Sequence, residues 1–331
     1  MNKKNPYQET RNQLFDLLRI ILTFLVVNLH IRVVCHGKIN ILDPYAYFAV
    51  PIFMALSFFL TSKYFSQIKL PFSIVALRIK RLALPLIFWS AIGFLLKPNL
   101  INIRNIFLQL FTGKVVDTPL YYLNILICFT IIFWLITYLS PKYRVPLYVS
   151  LILISIILEY SGINTRLFNL TISEIRRSYG QIVELIKYAS LGMLLGIIMK
   201  QNNKRAILFG LVLLNSSLLL TISFPQPWGY NYSGLRLFLG TVLVLSSILL
   251  IGRVDLSEKV NKTIHFFGTY SFGVYLCHII FFETLFQIFP KIRILNNSFP
   301  FQFLFIYTFG CYVFCIIFDI ITHKKYSFLV R

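Results

Sequence analysis

Ten stretches of this chain are mostly apolar: 14–35, 45–62, 71–96, 119–139, 145–160, 181–199, 205–224, 236–252, 266–288 and 301–321. A helix needs about 20 such residues to cross the hydrocarbon core of a bilayer. The pattern therefore predicts an all-α polytopic membrane protein, a bundle of about ten transmembrane helices, with the fifth and eighth stretches the shortest. Polar, turn-rich breaks separate the stretches, among them Pro141-Lys142-Tyr143-Arg144, Gln201-Asn202-Asn203-Lys204 and Pro225-Gln226-Pro227. No polar segment is long enough to fold alone outside the membrane, so one integral-membrane domain over 1–331 is expected, with no appended soluble domain. Residues 98–112 are different. Leu100, Ile103, Phe107 and Leu110 recur at helical spacing with Asn99, Asn102, Arg104 and Asn105 between them. That is too short and too polar to span, and it predicts an amphipathic helix on the outer surface, either a roof over a substrate entrance or a plain anchor.

The first apolar stretch breaks its own pattern. It carries Asp16, Arg19 and His30. A charge near the bilayer centre costs roughly 3 kcal/mol or more. Eleven residues from Arg19 to His30 make close to three helical turns, so both lie on one face about 16 Å apart along the axis. Asp16, three residues before Arg19, joins that stripe. A polar stripe on an apolar helix belongs against a bundle interior or a water-filled cavity.

Composition agrees with the pattern: 57% of residues are hydrophobic and 13% charged, against about 25% charged in soluble domains. A mean hydropathy of +0.75 fits a membrane chain. The net charge of +21 does not require nucleic acid, because basic residues collect on cytoplasmic loops of membrane proteins. With ten spans both termini share a side, and taking it as cytoplasmic places 20 of the 32 Lys and Arg there. The expected home is the cell inner or plasma membrane. Lys3, Lys4 and Arg11 resemble the start of a signal peptide, but the apolar stretch after them is too long, holds Asp16 and Arg19, and lacks a small-residue cleavage site. Five cysteines without a C-x-x-C pair are expected to be buried reduced thiols, with no metal site and no disulfide.

Chemistry concentrates in few residues. The imidazole of His30 can take a proton from a hydroxyl near physiological pH. Arg78 and Arg81 share a helix face at the start of the third span and, with Arg19, lie toward one membrane side. Arginine grips phosphate through forked, charge-assisted hydrogen bonds, so the three imply a polyanionic, nucleotide-like ligand entering from the cytoplasm. No Gly-rich phosphate loop is present. Glu184 and Lys187, three apart, are expected to pair; Glu283, Asp319 and His278 are weaker intramembrane candidates.

Several segments, in order along nearly the whole chain, resemble the acyltransferase family three membrane proteins. Asp16-Leu17-Leu18-Arg19 followed by His30 is similar to that family's first helix. Val50 through Leu60 resembles its second, Arg78-Ile79-Lys80-Arg81 to Pro85 with Phe88-Trp89 its third, Leu120-Tyr121-Tyr122-Leu123 the start of its fourth, and Tyr270-Ser271-Phe272-Gly273-Val274-Tyr275-Leu276-Cys277-His278 its late Tyr-Ser-Phe segment. Phe58 stands where the family usually has Gly, and Pro119 where a His often stands. The resemblance implies a membrane O-acyltransferase moving an acyl group, most commonly acetyl from acetyl-CoA, to a hydroxyl of a cell-surface or lipid-linked glycan. His30 would be the general base and Arg19, Arg78 and Arg81 would hold the phosphates of coenzyme A; no metal is implied. A glycan or small-solute transporter or flippase is the alternative, but it would be expected to show the inverted repeats and paired broken helices that this sequence lacks. A scaffold gives no reason to bury Arg19 and His30.

Overall fold

The structure, a computed structural model, describes residues 12–35, 42–113, 115, 120–161, 173–221, 234–252, 254–289 and 300–330. Lys3, Lys4, Arg11, His36, Pro119 and the Pro225-Gln226-Pro227 break lie outside them. The described residues are helical and contain no strand. The helices are α1 (Gln13–Cys35), α2 (Asp43–Ala46), α3 (Ala49–Phe65), α4 (Phe72–Leu96), α5 (Ile103–Thr112), α6 (Tyr121–Ile136), α7 (Pro141–Tyr160), α8 (Ser173–Ile198), α9 (Lys204–Thr221), α10 (Leu235–Ile251), α11 (Glu258–Ile288) and α12 (Pro300–Ile321). A helix stands at every apolar stretch of the sequence. Six of them, α1, α4, α7, α8, α11 and α12, are long and apolar enough to cross a membrane, and α3, α6 and α10 are shorter apolar helices. The fifth stretch gains a turn because Pro141 starts the helix, where its missing N–H costs nothing.

Small residues set the closest helix approaches, as packing in lipid requires. Gly192 and Gly196 of α8 lie directly on α3: a Cβ on Gly192 would fall 2.1 Å from the Ala55 carbonyl oxygen, and one on Gly196 would fall 1.9 Å from Ser62 Oγ. Gly268 of α11 does the same for α1, since a Cβ there would sit 2.7 Å from Asp16 Cβ. The α11–α12 contact is polar as well as apolar. Tyr270 donates to Asp319 Oδ2 (2.9 Å), Ser271 and Tyr312 share a hydrogen bond (3.1 Å), and the Tyr307 hydroxyl donates to the His278 carbonyl. Cys277, Cys311 and Cys315 are free thiols buried at this seam, but Cys128, also free, is exposed on α6, against the expectation of burial.

After α12 the chain reverses through His323 and Lys324, both at positive φ (49° and 61°), and turns back into the bundle. Trp89 Nε1 of α4 donates to the Leu329 carbonyl at 3.3 Å, and the Val330 backbone fits against Gly273, where a Cβ would lie 2.3 Å from the Val330 oxygen. The returning segment thus ties α4 to α11.

Helix α5 follows a 3-10 turn at Pro98–Leu100, so it begins later than 98. Asn102 caps it by accepting from the Asn105 N–H (2.8 Å), and Gly113 ends it at φ +66°. Ile103, Phe107 and Phe111 face outward, while Gln109 is buried and donates to Ser90 of α4 (3.0 Å).

Candidate functional site

Helix α1 carries the polar stripe into the bundle. Val26, Val27 and Ile31 pack in the core, and His30 is half-buried beside them. Its Nδ1 lies 2.9 Å from the Val26 carbonyl oxygen and 3.1 Å from Nε2 of His278 on α11. The two imidazoles sit 4.9 Å apart, tilted by 57°. His278 is almost fully buried, and its Nδ1 faces the carbonyls of Tyr275 (2.7 Å) and Val274 (3.2 Å). Tyr275 is in turn packed edge-on against Phe53 and Tyr122. Two residues 248 apart in sequence thus form one pair. The sequence ranked His278 below His30; the structure gives it a direct contact with His30 that no spacing rule could reveal.

The arginines separate into three cases. Arg19 Nη1 donates to Asp16 Oδ1 (3.0 Å), and the other oxygen of that buried carboxylate faces His265 Nδ1 at 3.3 Å. Asp16 thus fixes Arg19 and clamps α1 to α11 above Gly268. Arg78 reaches into the bundle from α4. Its Nε donates to Thr130 Oγ1 and its Nη2 to Ser57 Oγ, both at 3.0 Å, and its guanidinium lies 5.2 Å from the centre of the Phe58 ring. These partners are hydroxyls and a π-face; no carboxylate pairs with Arg78 among the described residues. Thr130 gives its own hydrogen to the Leu126 carbonyl (2.7 Å), so it is free to accept from Arg78. The Tyr122 hydroxyl is within electrostatic reach of both Arg78 and Arg19, which brings those two to one region. Arg81 is exposed on the flank of α4 and does not join them in this conformation.

A family model for an acyltransferase domain matches residues 12–320, nearly the whole chain. The chain belongs to acyltransferase family 3. No curated protein and no solved structure matches it. As a family 3 membrane acyltransferase it has an acyl donor and an acceptor as substrates and the bilayer as its surroundings. Phe58, at the position where the resemblance leads one to expect glycine, does not loosen α3. The close approach is supplied by Gly192 and Gly196 from the partner helix, and the Phe58 ring packs on Phe129 and Phe133 and underlies Arg78.

Other charged residues of the apolar helices have partners. Lys187 of α8 is fully buried and pairs with Glu159 of α7, whose other oxygen accepts from the Gly234 N–H at 3.3 Å. The expected pairing of Lys187 with Glu184 is therefore replaced by a cross-helix ion pair, with Glu184 within electrostatic reach of the same ammonium. Glu283 binds Lys97 at 2.9 Å, and Asp319 accepts from Tyr270.

Proposed function

We propose that this protein is a membrane O-acetyltransferase that moves an acetyl group from acetyl-CoA to a hydroxyl of a cell-surface or lipid-linked glycan. The observation that carries the reading is the held base: His30 Nδ1 is engaged by Val26 and His278, while Nε2 makes no hydrogen bond among the described residues. On the same stripe, about 16 Å along the axis, Arg19 marks the other end of an elongated site. A long, thin pantetheine arm, with phosphates at one end and a thioester at the other, suits such a spacing. Arg78 and Arg19 would hold the phosphates, joined by Arg81 when its flexible side chain swings over the ligand.

In this reading His30 Nε2 removes the acceptor hydroxyl proton as the oxygen attacks the thioester carbonyl. The carbon–sulfur bond then breaks, and His30 returns the proton to the departing thiolate, which leaves as the free thiol. The hydroxyl of a sugar is a poor nucleophile near neutral pH, so a positioned base contributes on the order of 10²–10⁴ in rate. The same reading has ten spans, both ends of the chain in the cytoplasm of a cell's inner or plasma membrane, and α5 lying at the outer face with Ile103, Phe107 and Phe111 in lipid. Reporter fusions at residue 331 check the topology, and a signal outside the cell contradicts it.

Mass spectrometry of surface glycans from cells with and without the protein tests the activity. Loss of acetyl substituents from an otherwise intact glycan is expected. Loss of the whole polymer from the surface would instead mark a transporter or flippase.

A further inference from the structure

We infer that His278 is a positioning residue that fixes the tautomer of His30, so that two neutral imidazoles in series do what a histidine–carboxylate pair does in soluble acyl-transfer enzymes. The inference rests on the acyltransferase reading of His30 and extends it to a second residue.

The hydrogen positions follow from the acceptors. Carbonyl oxygens accept and never donate. His278 Nδ1 lies 2.7 Å from the Tyr275 carbonyl and 3.2 Å from that of Val274, so it carries a hydrogen. In the neutral ring Nε2 of His278 is then a lone pair, and it points at His30 Nδ1 from 3.1 Å. His30 Nδ1 also faces the Val26 carbonyl at 2.9 Å, so it too carries a hydrogen, shared between two acceptors. One nitrogen remains without a proton, Nε2 of His30. The chain runs from a helix carbonyl through His278 to His30 and ends in the lone pair that a general base needs.

The support behind His278 is rigid. Its ring is buried, its own carbonyl accepts from the Tyr307 hydroxyl of α12, and α11 is joined to α12 at Tyr270 and Ser271. When His30 takes the proton, its Nδ1–H becomes the donor of a charge-assisted bond to His278 Nε2, stronger than the neutral bond it replaces. The gain appears as charge develops and is absent before, which is the requirement for accelerating a step. A carboxylate in this place would supply a stronger field but would need its own compensation in a low-dielectric bundle. A second neutral imidazole needs none.

The test uses membranes carrying the full-length protein, its native acceptor and acetyl-CoA as the probe donor, with thiol release as the readout. His278→Leu should lower kcat about 10²-fold with the KM for donor unchanged, less than the roughly 10⁴-fold loss when the orienting carboxylate of a Ser-His-Asp triad is replaced. His278→Gln, whose side-chain oxygen can accept from His30, should restore part of the rate at equal amounts of folded protein. A purely structural His278 would lower folded protein without this split or rescue. Nitrogen spectra of [15N]histidine-labelled protein, with His30 assigned from its absence in His30→Gln, should show His30 protonated at Nδ1 in the wild type and a mixture of tautomers in His278→Leu. Wild-type His30 protonated at Nε2, or a His278→Leu protein within about threefold of normal kcat while His30→Ala is inactive, would overturn the inference. Full activity in His30→Ala would instead remove the base reading itself, and the spectra would still decide whether the pair exists.

Discussion

Arg144 and Arg78 put the same side chain inside the same bundle for opposite ends. Arg144 is almost fully buried at the start of α7 and spends its guanidinium on five carbonyls: Leu139, Phe65, Ser66, Gln67 and Thr137. Those oxygens lie at the C-terminal ends of α3 and α6, where unpaired carbonyls and the helix dipoles both favour a cation. All three of its nitrogens are engaged by the fold. Arg78 makes two hydrogen bonds, both to hydroxyls, and rests on a ring. A guanidinium has five N–H donors in a planar fork, and hydroxyls and a π-face leave its charge without an anion. An arginine engaged through every nitrogen fastens helix ends, whereas in the proposed function one held in place but not neutralised receives an anion.

Substitutions separate the two. Arg144→Ala removes the shared partner of several helix-end carbonyls around a buried side chain, and hydrogen bonds to charged groups are worth about 1.5–3 kcal/mol each. The expected result is a large loss of folded, detergent-extractable protein and of thermal stability, with donor use per folded molecule unchanged. Arg78→Ala should do the reverse. The protein inserts and extracts nearly normally, and acylation at limiting donor falls about tenfold or more, consistent with one lost charge-assisted contact. Arg78→Lys should rescue partly, since a point charge lacks the planar fork. Wild-type activity of Arg78→Ala at limiting donor would put Arg78 in the same class as Arg144.

A smaller effect is expected under the ring. Phe58→Leu removes the cation–π contact, worth about 0.5–2 kcal/mol, and should raise the KM for donor severalfold without moving kcat. Smaller still, Thr130→Val keeps shape and removes one acceptor of Arg78, so its donor KM should rise about two- to threefold. Equal loss of kcat and KM effects in either variant would mean that these residues serve packing rather than the seat of the guanidinium.

The reach of the sequence follows from the kind of force involved. Helices were legible because a bilayer demands long apolar runs: helices stand at all the predicted stretches, and six are long and apolar enough to cross a membrane. The stripe of Asp16, Arg19 and His30 was legible because a helix repeats every 3.6 residues. What joins distant segments was not. His278 lies 248 residues from His30, and Glu159 lies 28 from Lys187, so the nearer Glu184 drew the expectation. Arg144 resembled any basic flank of a span, because a positive residue beside a membrane helix is ordinary. Phe58 stood out only as a departure from the family's glycine, because the glycines that supply the close approach sit on α8.

His30 is the centre of the proposed chemistry. His30→Ala, with acetyl transfer measured per molecule of folded, detergent-extracted protein, should lose activity by about 10²–10⁴-fold, while the helix persists because alanine is the best helix former. Near-normal transfer per folded molecule in that variant would contradict that role.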